Sequence, residues 1–220
     1  MKKYLTEFLG TFFLVLTIGC NVLGGNPLAP VAIGGVLMVM VFACGHISGA
    51  HFNPAVTLAV TCRGKCTQED ACAYIISQVL GATAAAFTVK YLYATAAMKL
   101  AAAAAIAASH GAATPFPTGP AFVAELVFTF ALAWVVLNVA TSKGTANNSF
   151  YGLAIGATVM VGAFSVSGIS GGAFNPAVAL GAALMGLIHW GNIWVLMLAE
   201  FIAGGLACFA FKTLSTEDAA

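Results

Sequence analysis

Long apolar runs, each closed by a short group of polar or turn-forming residues, divide the chain. The first extends from Tyr4 to Leu23 and ends at Gly24-Gly25-Asn26-Pro27. A second begins near Pro30 and closes around Gly45. After a further apolar stretch, Arg63-Gly64-Lys65 with Glu69-Asp70 returns the chain to water, and a third run covers about Gln68 to Tyr93, with Lys90 able to snorkel from its end. The stretch 100–120 is alanine-rich and closes with Pro115, Pro117 and Pro120, so it reads as a connector, partly helical at most. A fourth run spans about Ala121 to Thr141, a polar loop covers Ser142 to Ser149, and a fifth run covers about Tyr151 to Val166. The sixth starts near Trp190 and Trp194, aromatics suited to a membrane interface, and ends at Lys212. Runs of about 20 apolar residues match a bilayer's hydrocarbon thickness, so the pattern predicts six membrane-spanning helices.

Composition agrees. Of 220 residues, 61% are hydrophobic and 7% charged, with mean hydropathy +0.98, against about a quarter charged in soluble domains. No Asp, Glu, Lys or Arg occurs between Glu7 and Arg63, or between Lys143 and Glu200, and each interval is long enough for two spans and a re-entrant segment. The N-terminal Met1-Lys2-Lys3 before an apolar run superficially resembles a secretory signal, but the length of that run favours a retained span. A net charge of +1 with Arg63 as the single arginine argues against nucleic acid as a partner. The six cysteines show no Cys-x-x-Cys spacing and no accompanying histidine pattern; they read as free thiols, and no metal or other cofactor is expected.

Within this pattern two stretches, Ile47–Ala59 (ISGAHFNPAVTLA) and Ile169–Gly181 (ISGGAFNPAVALG), match at nine of thirteen positions. Each holds an Asn-Pro-Ala, at Asn53-Pro54-Ala55 and Asn175-Pro176-Ala177. Asparagine is a favoured N-cap and proline a favoured first helical residue, so each motif predicts a helix start. From Asn53 to Cys62 such a helix is roughly 15 Å long, about half a hydrocarbon thickness, and is therefore a half-helix. The asparagine oxygen can cap the helix while its NH₂ group stays free to face something else. Two half-helices meeting start to start near the membrane midplane place their partial positive charges together, a centre that suits a neutral oxygen acceptor and repels cations.

Each half of the chain thus holds three spans and one half-helix, and three passes reverse direction, so the repeats are predicted to be inverted, over 1–112 and 113–220. Other landmarks repeat: Glu7-x-x-x-Thr11-Phe12 answers Glu125-x-x-x-Thr129-Phe130, and Gln78 follows Asn53 by the same 25 residues as Glu200 follows Asn175. Six of the eight basic residues (Lys2, Lys3, Arg63, Lys65, Lys143, Lys212) fall on one side of this topology. The positive-inside rule makes that side the cytoplasm, together with both termini of a plasma (inner) membrane protein.

From Tyr4 to about Lys212 the duplicated Asn-Pro-Ala in an apolar repeat resembles the aquaporin and glycerol-facilitator family. The resemblance implies an aquaporin-like fold: an all-α membrane protein of six transmembrane helices and two re-entrant half-helices. It further implies a homotetramer with a pore in each subunit, a pore centre at the two Asn-Pro-Ala motifs, and a ladder of carbonyl acceptors from the residues before the half-helices. Those are Gly49, Ala50 and His51 in the first half and Gly171, Gly172 and Ala173 in the second. In most family members an arginine follows the second Asn-Pro-Ala and forms an outer constriction with three other side chains. Here that position is Val178, and the other three fall by distance on Ile33, Ala163 and Gly172. This filter has no charge, no side-chain donor and little bulk. A wide, apolar opening is expected, favouring small neutral solutes such as glycerol, urea, ammonia or peroxide alongside water.

Intramembrane acids have two readings: Glu7, Glu125 and Glu200 could couple transport to protons, or accept hydrogen bonds from irregular backbone that cannot reach water. The resemblance favours support for Glu7 and Glu125. His46 and His51, beside the first motif, could gate the pore or simply pack the loop. The functional expectation is a passive channel. The alternative is a secondary transporter, a group that shares inverted repeats and broken helices; a membrane enzyme is weaker, since no nucleophile, base and acid converge in the motifs.

Overall fold

Apolar stretches in lipid must satisfy their own backbone, and continuous helices do so. The computed structural model describes residues 1–95, 98, 99 and 116–215. Among them the α-helices are α1 (Lys2–Leu23), α2 (Ala29–Ser48), α3 (Pro54–Cys62), α4 (Gln68–Leu92), α5 (Thr118–Thr141), α6 (Tyr151–Ser170), α7 (Pro176–Met185) and α8 (Ile193–Leu214). Six are long and apolar enough to cross a membrane, the last entered through a 3₁₀ turn at Trp190–Asn192; α3 and α7 are the half-helices. Most of the connector 100–120 and the boundary between residues 112 and 113 lie outside the described residues.

Three boundaries differ from the sequence expectation by three residues or more. The second span continues past Gly45 to Ser48 and the fifth past Val166 to Ser170. Both helices stop where a glycine turns left-handed, Gly49 (φ 85°) and Gly171 (φ 92°), whose N–H groups bond back to the carbonyls of Gly45 and Ser167. That conformation is open to glycine at little steric cost. The extra turns carry Ser48 and Ser170 inward, where buried carboxylates take their hydroxyls. The fourth span begins at Thr118 rather than Ala121, which places Pro120 in the first turn, where its missing N–H leaves no bond unmade.

Packing in one half repeats that in the other. α1 lies along α4 as α5 lies along α8, and α2 crosses α6 between the halves. The half-helices are exchanged: α3 packs on α8, the last span of the second half, and α7 packs on α4, the last span of the first. Two close approaches make this possible. Gly34 and Gly156 meet where α2 crosses α6, each lying where a Cβ would strike the other's carbonyl oxygen. Gly204 lets α8 approach α3 so closely that a Cβ there would stand 2.5 Å from the Ala55 oxygen. Large apolar side chains such as Leu5, Val39, Ile76, Phe87, Val123 and Phe209 are exposed, as a lipid-facing belt requires, while Glu7, Gln78, Glu125 and Glu200 are completely buried.

Candidate functional site

Between α2 and α3 the backbone turns left-handed at Gly49, Ala50 and Phe52, and between α6 and α7 at Gly171, Gly172 and Phe174. For the non-glycine residues this costs of order 1–3 kcal/mol each and requires fixed surroundings. Buried carboxylates supply them. Glu7 Oε1 accepts the Ser48 hydroxyl (2.6 Å) and the His51 N–H (3.0 Å), and Oε2 accepts the Phe52 N–H (2.7 Å) and the Gln78 amide (2.8 Å). In the second half Glu125 Oε1 accepts the Ser170 hydroxyl (2.6 Å) and the Ala173 N–H (3.0 Å), and Oε2 the Phe174 N–H (2.7 Å). Glu7 and Glu125 thus each accept hydrogen bonds from the loop that leads into a half-helix. These groups also account for loop N–H donors that lipid would leave unpaired.

Each loop delivers an asparagine in an extended conformation at the N-cap. Asn53 Oδ1 accepts from the Ala55 and Val56 N–H groups (2.8 and 3.3 Å), and Asn175 Oδ1 from Ala177 and Val178 (3.0 and 3.4 Å). Their NH₂ groups are only half free. Asn53 Nδ2 donates to the Phe174 carbonyl and Asn175 Nδ2 to the Phe52 carbonyl, both at 2.8 Å. The half-helices therefore meet at their starts, cross-tied, with one N–H of each asparagine left over.

Both asparagines line a cavity of about 530 Å³ that begins at Gly25, Asn26 and Pro27 in the α1–α2 loop. Its wall is largely apolar, including Leu14, Leu37, Leu132, Ile155 and Val159. Ile33, Ala163, Gly172 and Val178, the four positions matched to an outer filter, all line it, as do Ala50, His51, Phe52, Gly171 and Ala173. Gly49 does not: it caps α2, facing the His51 ring. Pro54, Ala55, Pro176 and Ala177 are buried behind the asparagines in the first turns of the half-helices.

The His51 ring is turned into the protein. It sits edge-on to Tyr74, with centroids 5.1 Å apart, and Nδ1 lies 3.2 Å from Thr57 Oγ1. With its hydrogen on the Asn53 carbonyl (2.9 Å), that hydroxyl is an acceptor for an Nδ1–H imidazole. Tyr74 donates to the Ser48 carbonyl (2.7 Å). His51 thus packs the loop, while His46 lies at the end of α2. Sequence reasoning left out Ser48, Ser170, Thr57 and Tyr74 and gave Gln78 no bonding partner; of the two readings it offered for Glu200, the Asn175 N–H matches the bond to loop backbone. The two serines and the two phenylalanines occupy matching positions in the thirteen-residue stretches, which was the available signal.

All six cysteines are free thiols, and among the described residues no cluster of three or more His, Cys, Asp or Glu side chains could hold a metal ion. Six apolar helices around two half-helices that meet at an amide-lined cavity define a membrane channel. The chain belongs to the major intrinsic protein family, whose model matches residues 1–211. It is 37% identical to "Glycerol uptake facilitator protein-like 6" of Lactiplantibacillus plantarum, over 99% of this chain and 100% of that one. With "Aquaporin NIP1-1" of Zea mays it shares 33% identity, over 97% of this chain and 75% of that protein. The aquaglyceroporin of Plasmodium falciparum superposes with a TM-score of 0.75 at 21% identity, covering 97% of this chain and 96% of that one, which shows the common fold. This integral membrane protein is a passive channel for water and small solutes rather than an enzyme.

Proposed function

We propose that the pore passes water together with small uncharged solutes, among them glycerol, urea, ammonia or peroxide, through an outer filter formed by Ile33, Ala163, Gly172 and Val178. The observation that carries this reading is the pairing of two cross-tied asparagines, each with one N–H left to offer, with an apolar cavity wall at all four filter positions. A permeant oxygen can accept from those donors at the centre, while the filter offers no cation and no side-chain donor to exchange for the hydration of water. Glycerol's carbon backbone meets apolar wall at no such loss. The backbone carbonyls of Ala50, His51, Gly171 and Ala173 serve as further acceptors along the path, in keeping with their place on the cavity wall.

The two halves, 1–112 and 113–220, are inverted repeats, a reading supported by the exchanged packing of α3 on α8 and α7 on α4. The chain assembles as a homotetramer in the plasma (inner) membrane with both termini cytoplasmic, in accord with its basic residues. The test is flux into proteoliposomes holding purified protein, with water and glycerol followed separately under osmotic gradients. Glycerol entry well above that of empty vesicles supports the reading, and water entry alone refutes the wide filter. Accumulation of any solute above its equilibrium level would make the protein a transporter.

A further inference from the structure

In the first half the Glu7 carboxylate is fully partnered, although Gln78 Oε1 beside it has no donor, and in the second half the gap falls on a carboxyl oxygen. Glu7 accepts four hydrogen bonds, the fourth from the Gln78 amide to Oε2. Glu125 accepts the three equivalent bonds, from Ser170, Ala173 and Phe174, and the place of Gln78 is taken by Glu200. Glu200 Oε1 accepts the Asn175 N–H at 2.9 Å, whereas its Oε2, with the residue wholly buried, has no donor. Glu125 and Glu200 accept the N–H groups of the consecutive residues Phe174 and Asn175, and their carboxyl groups lie within hydrogen-bond reach of each other.

Among the described residues no basic side chain pairs with either carboxyl group. α5 and α7 contain no basic residue, and the only titratable side chain on either is Glu125 itself. α3 contributes Cys62 at its far end, and Arg63, just beyond, lies over the Phe211 ring at 5.1 Å, eleven residues and so about 16 Å along α8 from Glu200. Lys212 is one residue further. Two unscreened carboxylates side by side in a buried site cannot both stay ionised.

We propose that Glu200 is a neutral carboxylic acid whose Oε2–H donates to Glu125 Oε2 while its Oε1 accepts from the Asn175 backbone, making it a positioning residue for the second pore asparagine. The acid proton does what the Gln78 amide does in the first half. A second difference between the halves agrees with this. The Gln78 NH₂ has two hydrogens, given to Glu7 and to Thr57 Oγ1 (2.8 and 3.0 Å); a carboxylic acid has one. The position matching Thr57 is Ala179, which has no acceptor to offer and needs none.

Infrared spectra of the purified protein in lipid at neutral pH test the assignment. The expected result is a carboxylic-acid C=O stretch that shifts in D₂O and on labelling glutamate with ¹³C, and that is lost in Glu200→Gln and in Glu200→Gln/Ala179→Thr. The double variant recreates the Gln78–Thr57 arrangement, so its water flux is expected to equal that of the parent, with Glu200→Gln alone at or below it; Glu200→Ala, which strips both bonds, is expected to lose flux. The proposal is overturned by a parent spectrum without this band, by a band that survives in either glutamine variant, or by failure of both glutamine variants to fold, since a neutral donor would then not replace the acid.

Discussion

Asn53 and Asn175, 122 positions apart in the chain, are bound to each other's loops by reciprocal hydrogen bonds of 2.8 Å, each amide nitrogen donating to the carbonyl just before the other asparagine. The bonds fix the two helix starts at one point and aim the remaining N–H of each side chain. A junction built this way is held from both halves of the chain, so disturbing one half displaces the amide supplied by the other.

Replacing either asparagine by alanine is therefore expected to lower flux and stability together. The lost cap is worth ~1 kcal/mol. The carbonyl left without its donor adds about 1–3 kcal/mol. Water permeability of proteoliposomes and thermal unfolding in detergent measure the two. An Asn53→Ala protein that conducts and melts like the parent would show that the amide has no part in the pore.

Glu7→Ala leaves the Ser48 hydroxyl, the His51 and Phe52 N–H groups and the Gln78 amide without their acceptor. Each buried donor so orphaned costs about 1–3 kcal/mol, less whatever water enters the space. The expected outcome is loss of folded protein, seen as a collapsed yield of monodisperse material on size exclusion. Normal yield and melting temperature would mean that the left-handed loop supports itself.

Val178 lines the cavity directly after the second Asn-Pro-Ala, and its N–H already bonds to Asn175. Val178→Arg is expected to suppress glycerol flux more than water flux, because the long side chain fills the apolar opening and adds donors that suit water. Equal loss of both, or no change in either, would place the limiting constriction elsewhere.

At Gly204 an added Cβ would meet the Ala55 carbonyl oxygen, which is backbone and cannot swing aside. Gly204→Val is expected to push α3 off α8 at a cost of about 1–3 kcal/mol and to reduce water flux by displacing Asn53. Gly205→Ala next to it has open space and serves as the control, with parental melting and flux expected.

Protons and metal cations are expected to be excluded without a filter arginine. The two helix starts each carry about half a positive charge, and the asparagine donors interrupt a continuous chain of hydrogen-bonded water. Proton entry into dye-loaded vesicles under a pH gradient, with valinomycin and potassium to dissipate charge, is the measurement. Entry well above that of empty vesicles and abolished by Val178→Arg would show that a fixed charge, not the helix starts, forms the barrier.

Much of this architecture is determined by the sequence itself, because it depends on local chemistry. Continuous apolar runs select helices in lipid, and all six spans lie where those runs predict. Asn53-Pro54 and Asn175-Pro176 fix helix starts through a side-chain cap and a residue without an N–H, both acting within one turn. The duplicated stretch foretells that the two loops share a fold, and Glu7 and Glu125 are recognisable as acids with a task. Tertiary structure alone decided where those groups find their partners. The free amide expected of each asparagine is half consumed by a carbonyl more than 120 residues away, His51 turns its ring toward Tyr74 and Thr57, and Gly49 stands off the cavity wall. Likewise the identical 25-residue spacing of Gln78 and Glu200 conceals a difference in chemistry, which emerges only when Glu200 is seen beside a second carboxyl group, with no basic side chain among the described residues paired to either. The physical reason is range: capping and hydropathy act along neighbouring residues, whereas a buried hydrogen bond belongs to whatever distant segment the packing of α3 on α8 and α7 on α4 brings within reach.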